Sequence, residues 1–171
     1  MKRVLIIGNG GAGKSMLARK LGALTGLPVI HLDVEFWRPG WVETPDEEWD
    51  PHVAELLKGE HWIIDGNYGG TMDLRIAAAD TVVFLDLPTR VCIWRIIDRA
   101  LGGREGGRRR PDMADGCDEK LDPPFIDWVY HYRERNRPRV LALLEGARAW
   151  KTVVRLTSDR AVDRWLGTIG G

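Results

Sequence analysis

Cysteine is scarce: Cys92 and Cys117 are the only two in 171 residues. Two thiols make neither a disulfide framework nor a zinc site of their own, and their scarcity suits a reduced, cytoplasmic setting. Long apolar runs are missing as well. No stretch reaches the roughly 18–20 residues that cross a bilayer, so no membrane contact is expected. Lys2-Arg3 precede an apolar run, but it holds only four residues before Gly8, too few for the core of a signal peptide. Net charge is absent, since 25 basic residues balance 25 acidic ones. That removes any global electrostatic pull toward nucleic acid. Internal repeats are lacking too. What remains is a chain sized for one domain, residues 1–171, with material for a full core and expected to be a monomer or a dimer.

Glycine, by contrast, is plentiful, and it gathers where it matters most: Gly8-Asn9-Gly10-Gly11-Ala12-Gly13-Lys14-Ser15. Val4-Leu5-Ile6-Ile7 ahead of it read as a buried strand. Met16, Leu17, Ala18, Leu21 and Leu24 behind it fit one face of a helix. The spacing is G-x-x-x-x-G-K-S at a strand-to-helix junction. Such a loop turns backbone N–H groups, here from Gly8 to Met16, inward on an anion, and the helix N-terminus adds partial positive charge. Lys14 is placed to reach the terminal phosphates of a triphosphate, and the Ser15 hydroxyl to ligate Mg²⁺. The same glycines also spell G-x-G-x-x-G at Gly8, Gly10 and Gly13, with Asp33 near the end of a second strand, the pattern of a dinucleotide fold. Lys14-Ser15 favour the triphosphate, because a dinucleotide loop does not use that pair.

The first helix is expected to stop near Gly26 and Pro28. Strand two, residues 28–32, ends before Asp33 and Glu35, which an extended segment would point the same way. Either acid there can hold Mg²⁺ through water or accept a proton from an attacking oxygen. Residues 35–60 read as a flap. Trp37, Trp41 and Trp49 lie in it, mostly for packing, and Thr44-Pro45-Asp46-Glu47 is expected to start a helix as a capping box. Strand three runs from His61 to Asp65-Gly66, an apolar run ending in an acid that can orient water on Mg²⁺. Asn67 and Tyr68 continue at the same sheet edge, and Thr71 is placed to cap a short helix carrying Arg75. Strand four, ending at Asp86, leads through Pro88 into a helix with Val91, Trp94 and Ile97 on one side and Arg95 and Arg99 sharing a face. Two such guanidinium groups suit a phosphoryl group in transfer. From Gly102 the composition turns glycine- and arginine-rich, through Arg104, Arg108, Arg109 and Arg110. Residues 102–137 are expected to include a mobile lid, with a basic arm for nucleic acid as its rival. A helix carrying Phe125, Trp128, Val129 and Tyr132 follows, then Pro138, strand five at residues 151–156 and a last helix. The alternation implies an α/β fold, three layers α/β/α around a five-stranded parallel sheet.

These motifs together resemble the adenylate-kinase-related P-loop kinases: residues 8–15, Asp33, Asp65-Gly66, and Leu85-Asp86-Leu87-Pro88 leading to Arg95 and Arg99. Within them the chain is most similar to the bacterial topology-modulation group, on His31-Leu32-Asp33, Ile64-Asp65-Gly66-Asn67-Tyr68, Arg110-Pro111-Asp112-Met113-Ala114, Gly116-Cys117, Phe125, Trp128 and Arg137-Pro138. The resemblance covers nearly the whole chain. It implies a nucleoside-monophosphate-kinase-like P-loop fold with an arginine-rich lid. Arg95 would lie beside the ATP adenine, and Arg99 would contact transferring phosphate. Departures are clear. Adenylate kinases carry an arginine soon after the Asp-Gly, whereas here Arg75 is the nearest. The lid lacks the ligands of zinc-bearing relatives. Asp33 in a Leu-Asp-x-Glu segment is closer to shikimate and gluconate kinases.

The expected activity is therefore an ATP- and Mg²⁺-dependent phosphotransferase. Gly8, Gly10, Gly11, Ala12, Gly13, Lys14, Ser15 and Met16, with Arg95, would hold the nucleotide. Ser15 with Asp33 or Asp65 would serve Mg²⁺. Lys14, Asp33, Arg95, Arg99, Arg110, Arg135 and Arg137 would act on the phosphoryl group. Asp33, Glu35, Asp65, Gly66, Asn67, Tyr68 and Arg75 would face the acceptor. A nucleoside monophosphate acceptor needs a phosphate-binding Arg38 or Arg75, and a small hydroxyl compound needs Asp33 as base. The rival of another class is an ATP-switched protein that modulates DNA topology.

Overall fold

The apolar run ahead of Gly8 is fully buried, as an interior strand of a parallel sheet must be. The computed structural model describes residues 1–102, 111–117 and 120–170. Its first half runs β1 (Arg3–Gly8), α1 (Lys14–Thr25), β2 (Val29–His31), α2 (Leu32–Phe36), β3 (Trp37–Arg38), β4 (Val42–Glu43), α3 (Asp46–Leu56), β5 (Trp62–Asp65), a short 3₁₀ turn (Gly69–Thr71) and α4 (Met72–Ala78). The second half runs β6 (Thr81–Leu85), α5 (Thr89–Ala100), α6 (Pro123–Arg135), α7 (Arg137–Ala147), β7 (Thr152–Leu156) and α8 (Asp159–Gly167).

The fold is α/β. Five strands form one parallel sheet in the order β2-β5-β1-β6-β7. β1 therefore has a partner on each side, with Ile6 opposite both Asp65 and Val83. His31 lies opposite Asp65 and Gly8 opposite Leu85. The carboxyl ends of β2, β5, β1 and β6 thus come to one edge, where open α/β sheets bind ligands. Two apolar clusters cover the two faces. One joins Leu5, Ile7, Ile64 and Phe84 to α3, α4, α6 and α7. The other joins Val4, Ile6, Ile63 and Val83 to α1, α5 and α8.

Local chemistry explains the element ends. α1 stops at Gly26, which takes φ +72 and returns its N–H to Gly22. Pro138 lies in the first turn of α7, where its missing N–H costs nothing. Ser158 caps α8 by accepting from the Ala161 N–H at 3.2 Å. Three expectations are corrected. Residues 32–36 form a helix, α2, rather than a continuation of an extended segment. Thr44 does not cap α3; its hydroxyl donates to the Phe36 carbonyl at 2.6 Å and closes the unforeseen β3-β4 hairpin. On α5 the buried face is Cys92 and Ile96, while Trp94 and Ile97 are 54% and 38% exposed.

Candidate functional site

The glycine loop leaves β1 at the ligand edge and is clamped from three sides. A Cβ on Gly8 would come within 2.6 Å of the Leu85 carbonyl oxygen, so the strand next door forbids any side chain there. The Asn67 side chain grips the Gly8 backbone from β5's exit. It accepts from the Gly8 N–H at 3.2 Å and donates to the Gly8 carbonyl at 2.7 Å, as a neighbouring strand would. Asn9 is buried; its side chain accepts from the Gly10 N–H at 2.8 Å and donates to the Val129 carbonyl at 2.9 Å. Gly10 is pressed against Phe125 and Val129 of α6. Gly11, at φ +72, lies on the Cys92 carbonyl of α5. Only glycine meets both demands at that position.

Gly13, at φ +93, then caps α1. The cap has no side-chain hydrogen bond, and the first turn of α1 has no acidic residue. The first N–H groups of a helix have no partner within it, and a terminus without an N-cap side-chain bond or a nearby acid suits an external anion. The Lys14 ammonium donates to the Asn9 carbonyl at 3.1 Å, so it folds over the loop rather than away from it. Ser15 follows in the first turn, half-buried.

The acids divide between two environments. Asp33 and Glu35 sit two apart in α2, about 200° apart around the helix axis. The shared direction expected of them is therefore corrected. Asp33 accepts from the Tyr68 hydroxyl at 2.7 Å, whereas Glu35 pairs with the His52 imidazole at 2.7 Å. Burial, then the Asp33 charge and hydrogen bond, push the Tyr68 hydroxyl well above its ordinary pKa, so it remains a donor. Asp65 is buried and lies 2.6 Å from His31 Nδ1. Burial alone would lower the His31 pKa, but the bond and charge of Asp65, with the charge of Asp112, outweigh it and raise it. Asp112 is itself buried and pairs with Arg19 of α1 at 2.8 Å.

The arginines are the least as expected. Arg75 is fully buried. Its Nε donates to the Thr71 hydroxyl, and its Nη atoms donate to the carbonyls of Gly66, Asn67 and Tyr68. Burial lowers its pKa to about 10. It braces the loop after β5, and its guanidinium is turned to backbone instead of toward an acceptor; Thr71 correspondingly serves Arg75 rather than capping α4. Arg137 makes a two-pronged bond to Asp86, at 2.8 and 2.9 Å, so it holds the start of α7 to the end of β6. Arg95 leans over the loop, donating to the Ala12 carbonyl at 3.3 Å and to both Asp159 oxygens at 2.6 and 2.7 Å. Arg38 pairs with Glu48 at the surface. Arg99 is half-buried on α5. Arg110, and the glycine- and arginine-rich residues 103–110 of the expected lid, lie outside the described residues. Residues 111–117 pack on the hairpin: the Gly40 N–H donates to the Gly116 carbonyl at 3.0 Å, and the Cys117 thiol to the Arg38 carbonyl at 3.3 Å.

Sequence reasoning missed Asn9, Asp86, Asp112 and Asp159. Asp86 ended a strand and was in view, but its two arginine partners lie 51 and 69 residues away. Asp159 opens the last helix, and nothing local ties it to Arg95, 64 residues away. The residues present fit a nucleoside triphosphate, through the uncapped α1 terminus and Lys14. Among the described residues no three His, Cys, Asp or Glu side chains gather around a common point. The sheet order also bears on the dinucleotide alternative. Numbered within the sheet it is 2-3-1-4-5, whereas dinucleotide folds have 3-2-1. Compared with known proteins, no family model matches the chain and no curated protein matches it. Among the described residues no helix is long and apolar enough to cross a membrane.

Proposed function

We propose that the chain is an ATP-dependent phosphotransferase of the adenylate-kinase-like P-loop type. One observation carries the reading. The G-x-x-x-x-G-K-S loop joins the central strand to a helix whose N-terminus has neither a capping side chain nor an acid, with Lys14 folded over the loop. Backbone N–H groups and the α1 terminus would bind the triphosphate, and Lys14 would neutralise its terminal oxygens. Ser15, with Asp33 or Asp65, would hold Mg²⁺, which when bound neutralises charge on the phosphates. Arg95 flanks the loop, where it is suited to the nucleotide. Little covalent help is required, because phosphoryl transfer is catalysed chiefly by positioning and charge.

The acceptor reading that fits best is a small hydroxyl compound. The Tyr68 hydroxyl donates to one Asp33 oxygen and orients the carboxylate, as a base taking a hydroxyl proton requires. Of the two arginines that a nucleoside monophosphate would need, Arg75 is buried and committed to backbone carbonyls, which leaves only Arg38, in an exposed pair with Glu48. A transfer screen with γ-labelled ATP, offering metabolite alcohols alongside nucleoside monophosphates, tests this. Label on an alcohol, lost in Asp33→Asn, is the expected result. Label on monophosphates alone, unaffected by Asp33→Asn, would overturn the acceptor assignment. Salt-sensitive DNA binding with no transfer to any acceptor would favour the topology-modulating rival.

A further inference from the structure

Between α4 on one side and α6 and α7 on the other lies an open groove of about 410 Å³. That volume is in the range of small-molecule sites. None of the residues that the phosphate loop comprises lines it. Tyr68, Trp128 and Tyr132 supply aromatic surface, and Met72, Val140 and Leu143 supply aliphatic surface. The Trp128 ring stacks on Phe125 at 6.1 Å with an interplanar angle of 11°, and meets Tyr132 edge-on at 5.3 Å. Its plane is therefore fixed from both sides. Tyr132 is buried, and its hydroxyl has no hydrogen-bond partner among the described residues, which is unfavourable.

Among the described residues, Arg135 and Arg139 line the groove and no Asp or Glu does. Each guanidinium has an acid outside the groove. Arg135 meets Asp127 at 3.4 Å and Arg139 meets Asp73 at 3.0 Å, and all four side chains are about 60% exposed. Exposed pairs of this kind contribute little to stability, so an incoming anion exchanges for them at little cost. Two arginines from adjacent helices can grip one oxyanion with several parallel N–H bonds.

We infer that this groove binds a small ring-bearing oxyanion, carboxylate or phosphate, with the ring against Trp128 and the anionic group between Arg135 and Arg139. The site is separate from the triphosphate loop but adjoins it. Asn67 lines the groove and also grips Gly8, while Val129, next to Trp128, touches Gly10. Asn67 and Tyr68, expected to face the acceptor, and Arg135, expected at the phosphoryl group, line this groove too, but the inference does not depend on the phosphotransferase reading. Loss of transfer in a loop variant leaves it standing, and a vacant groove leaves the loop chemistry untouched.

The test is nuclear magnetic resonance of the full chain with a non-hydrolysable ATP analogue and Mg²⁺ present to occupy the loop. The Trp128 indole signal, assigned with Trp128→Phe, is followed during titration with phenyl phosphate, benzoate and uncharged benzyl alcohol. The expected result is a saturable shift with at least one anion, with affinity at least tenfold above that for benzyl alcohol. Preference for phenyl phosphate or for benzoate identifies which oxyanion the site takes. Arg135→Gln/Arg139→Gln should abolish the preference for anions, and Arg135→Lys/Arg139→Lys should restore part of it. Both changes are at exposed positions, and thermal melting confirms that the variants fold. An unmoved Trp128 signal with all three probes would overturn the inference. So would equal affinity for anion and alcohol, or an unchanged preference in the double Gln variant.

Discussion

Replacing Asp86 by Ala removes the acid on which Arg137 of α7 and Arg155 of β7 converge. Its carboxylate is nearly inaccessible and takes Arg137 at 2.8 and 2.9 Å and Arg155 at 2.8 and 2.6 Å. Hydrogen bonds to charged groups contribute about 1.5–3 kcal/mol each, and breaking a fully buried ion pair costs about 3–5 kcal/mol. Here the two stranded guanidinium groups are 20% and 41% exposed and rehydrate in part. The net loss is therefore about 2–3 kcal/mol, below the fully buried figure. For a domain of this size that lowers Tm by about 4–12 °C. The effect carries a pH signature. Burial alone would raise the Asp86 pKa, but the bonds and charges of Arg137 and Arg155 outweigh it and hold it below the ordinary carboxylate value. A depressed carboxylate contributes stability that is complete above the unfolded value, about 3.9, and is lost as pH falls through the lower folded value. Urea denaturation of wild type and Asp86→Ala should differ fully at pH 7 and converge as the pH is lowered below about 4. A difference under 0.5 kcal/mol at pH 7, or one independent of pH, would refute the account and return Arg137 to the candidate catalytic groups.

Arg75→Met should cost about 3 kcal/mol, because it strands the carbonyls of Gly66, Asn67 and Tyr68; Arg75→Lys should rescue little, since an ammonium lacks the planar fork, and urea midpoints check both. Asn67→Asp keeps the acceptor for the Gly8 N–H but loses the donor to its carbonyl and sets a negative charge beside the loop. It should weaken binding of an ATP analogue more than tenfold by calorimetry, and unchanged affinity would separate Gly8 from the phosphates. Gly11→Ala forces an L side chain to φ +72 against the Cys92 carbonyl, with a strain of about 1–3 kcal/mol before the clash is counted. Its melting temperature should fall, and a neutral result would mean that α5 yields to the loop.

The sequence made the sheet legible because its strands are short apolar runs closed by Gly, Asp or Pro. Residues 4–8, 62–65 and 81–85 need no partner to be recognised. Strand order was out of reach, since β5 settles between β1 and β2 through hydrogen bonds across more than thirty residues of intervening chain. The hairpin was hidden for another reason. Two residues per strand carry no periodicity, and Trp37, Trp41 and Trp49 read as a cluster rather than as a turn with Trp41 at φ +63. The loop at residues 8–15 was legible as a strand-to-helix junction because its motif is contiguous, although the partners of Asn9 were not. The arginine roles were not. A guanidinium reaches several ångströms, and what it meets depends on folding: Asp86 for Arg137, Asp159 for Arg95, backbone carbonyls for Arg75. Spacing along a helix told which arginines share a side, and nothing about which acid was waiting there.

The central claim is that residues 8–15 hold the phosphates of a nucleoside triphosphate. Isothermal titration of a non-hydrolysable ATP analogue with Mg²⁺ into wild type and Lys14→Ala tests it most directly, with NAD as the competing ligand. Lys14 lies over the loop on the Asn9 carbonyl and not in either apolar core, so the variant should melt within a few degrees of wild type. The account predicts saturable binding of the analogue by wild type, a loss on the order of a hundredfold in Lys14→Ala, consistent with removal of a key charged group, and no binding of NAD. Equal affinity of the two proteins for the analogue, or binding of NAD in its place, would contradict it.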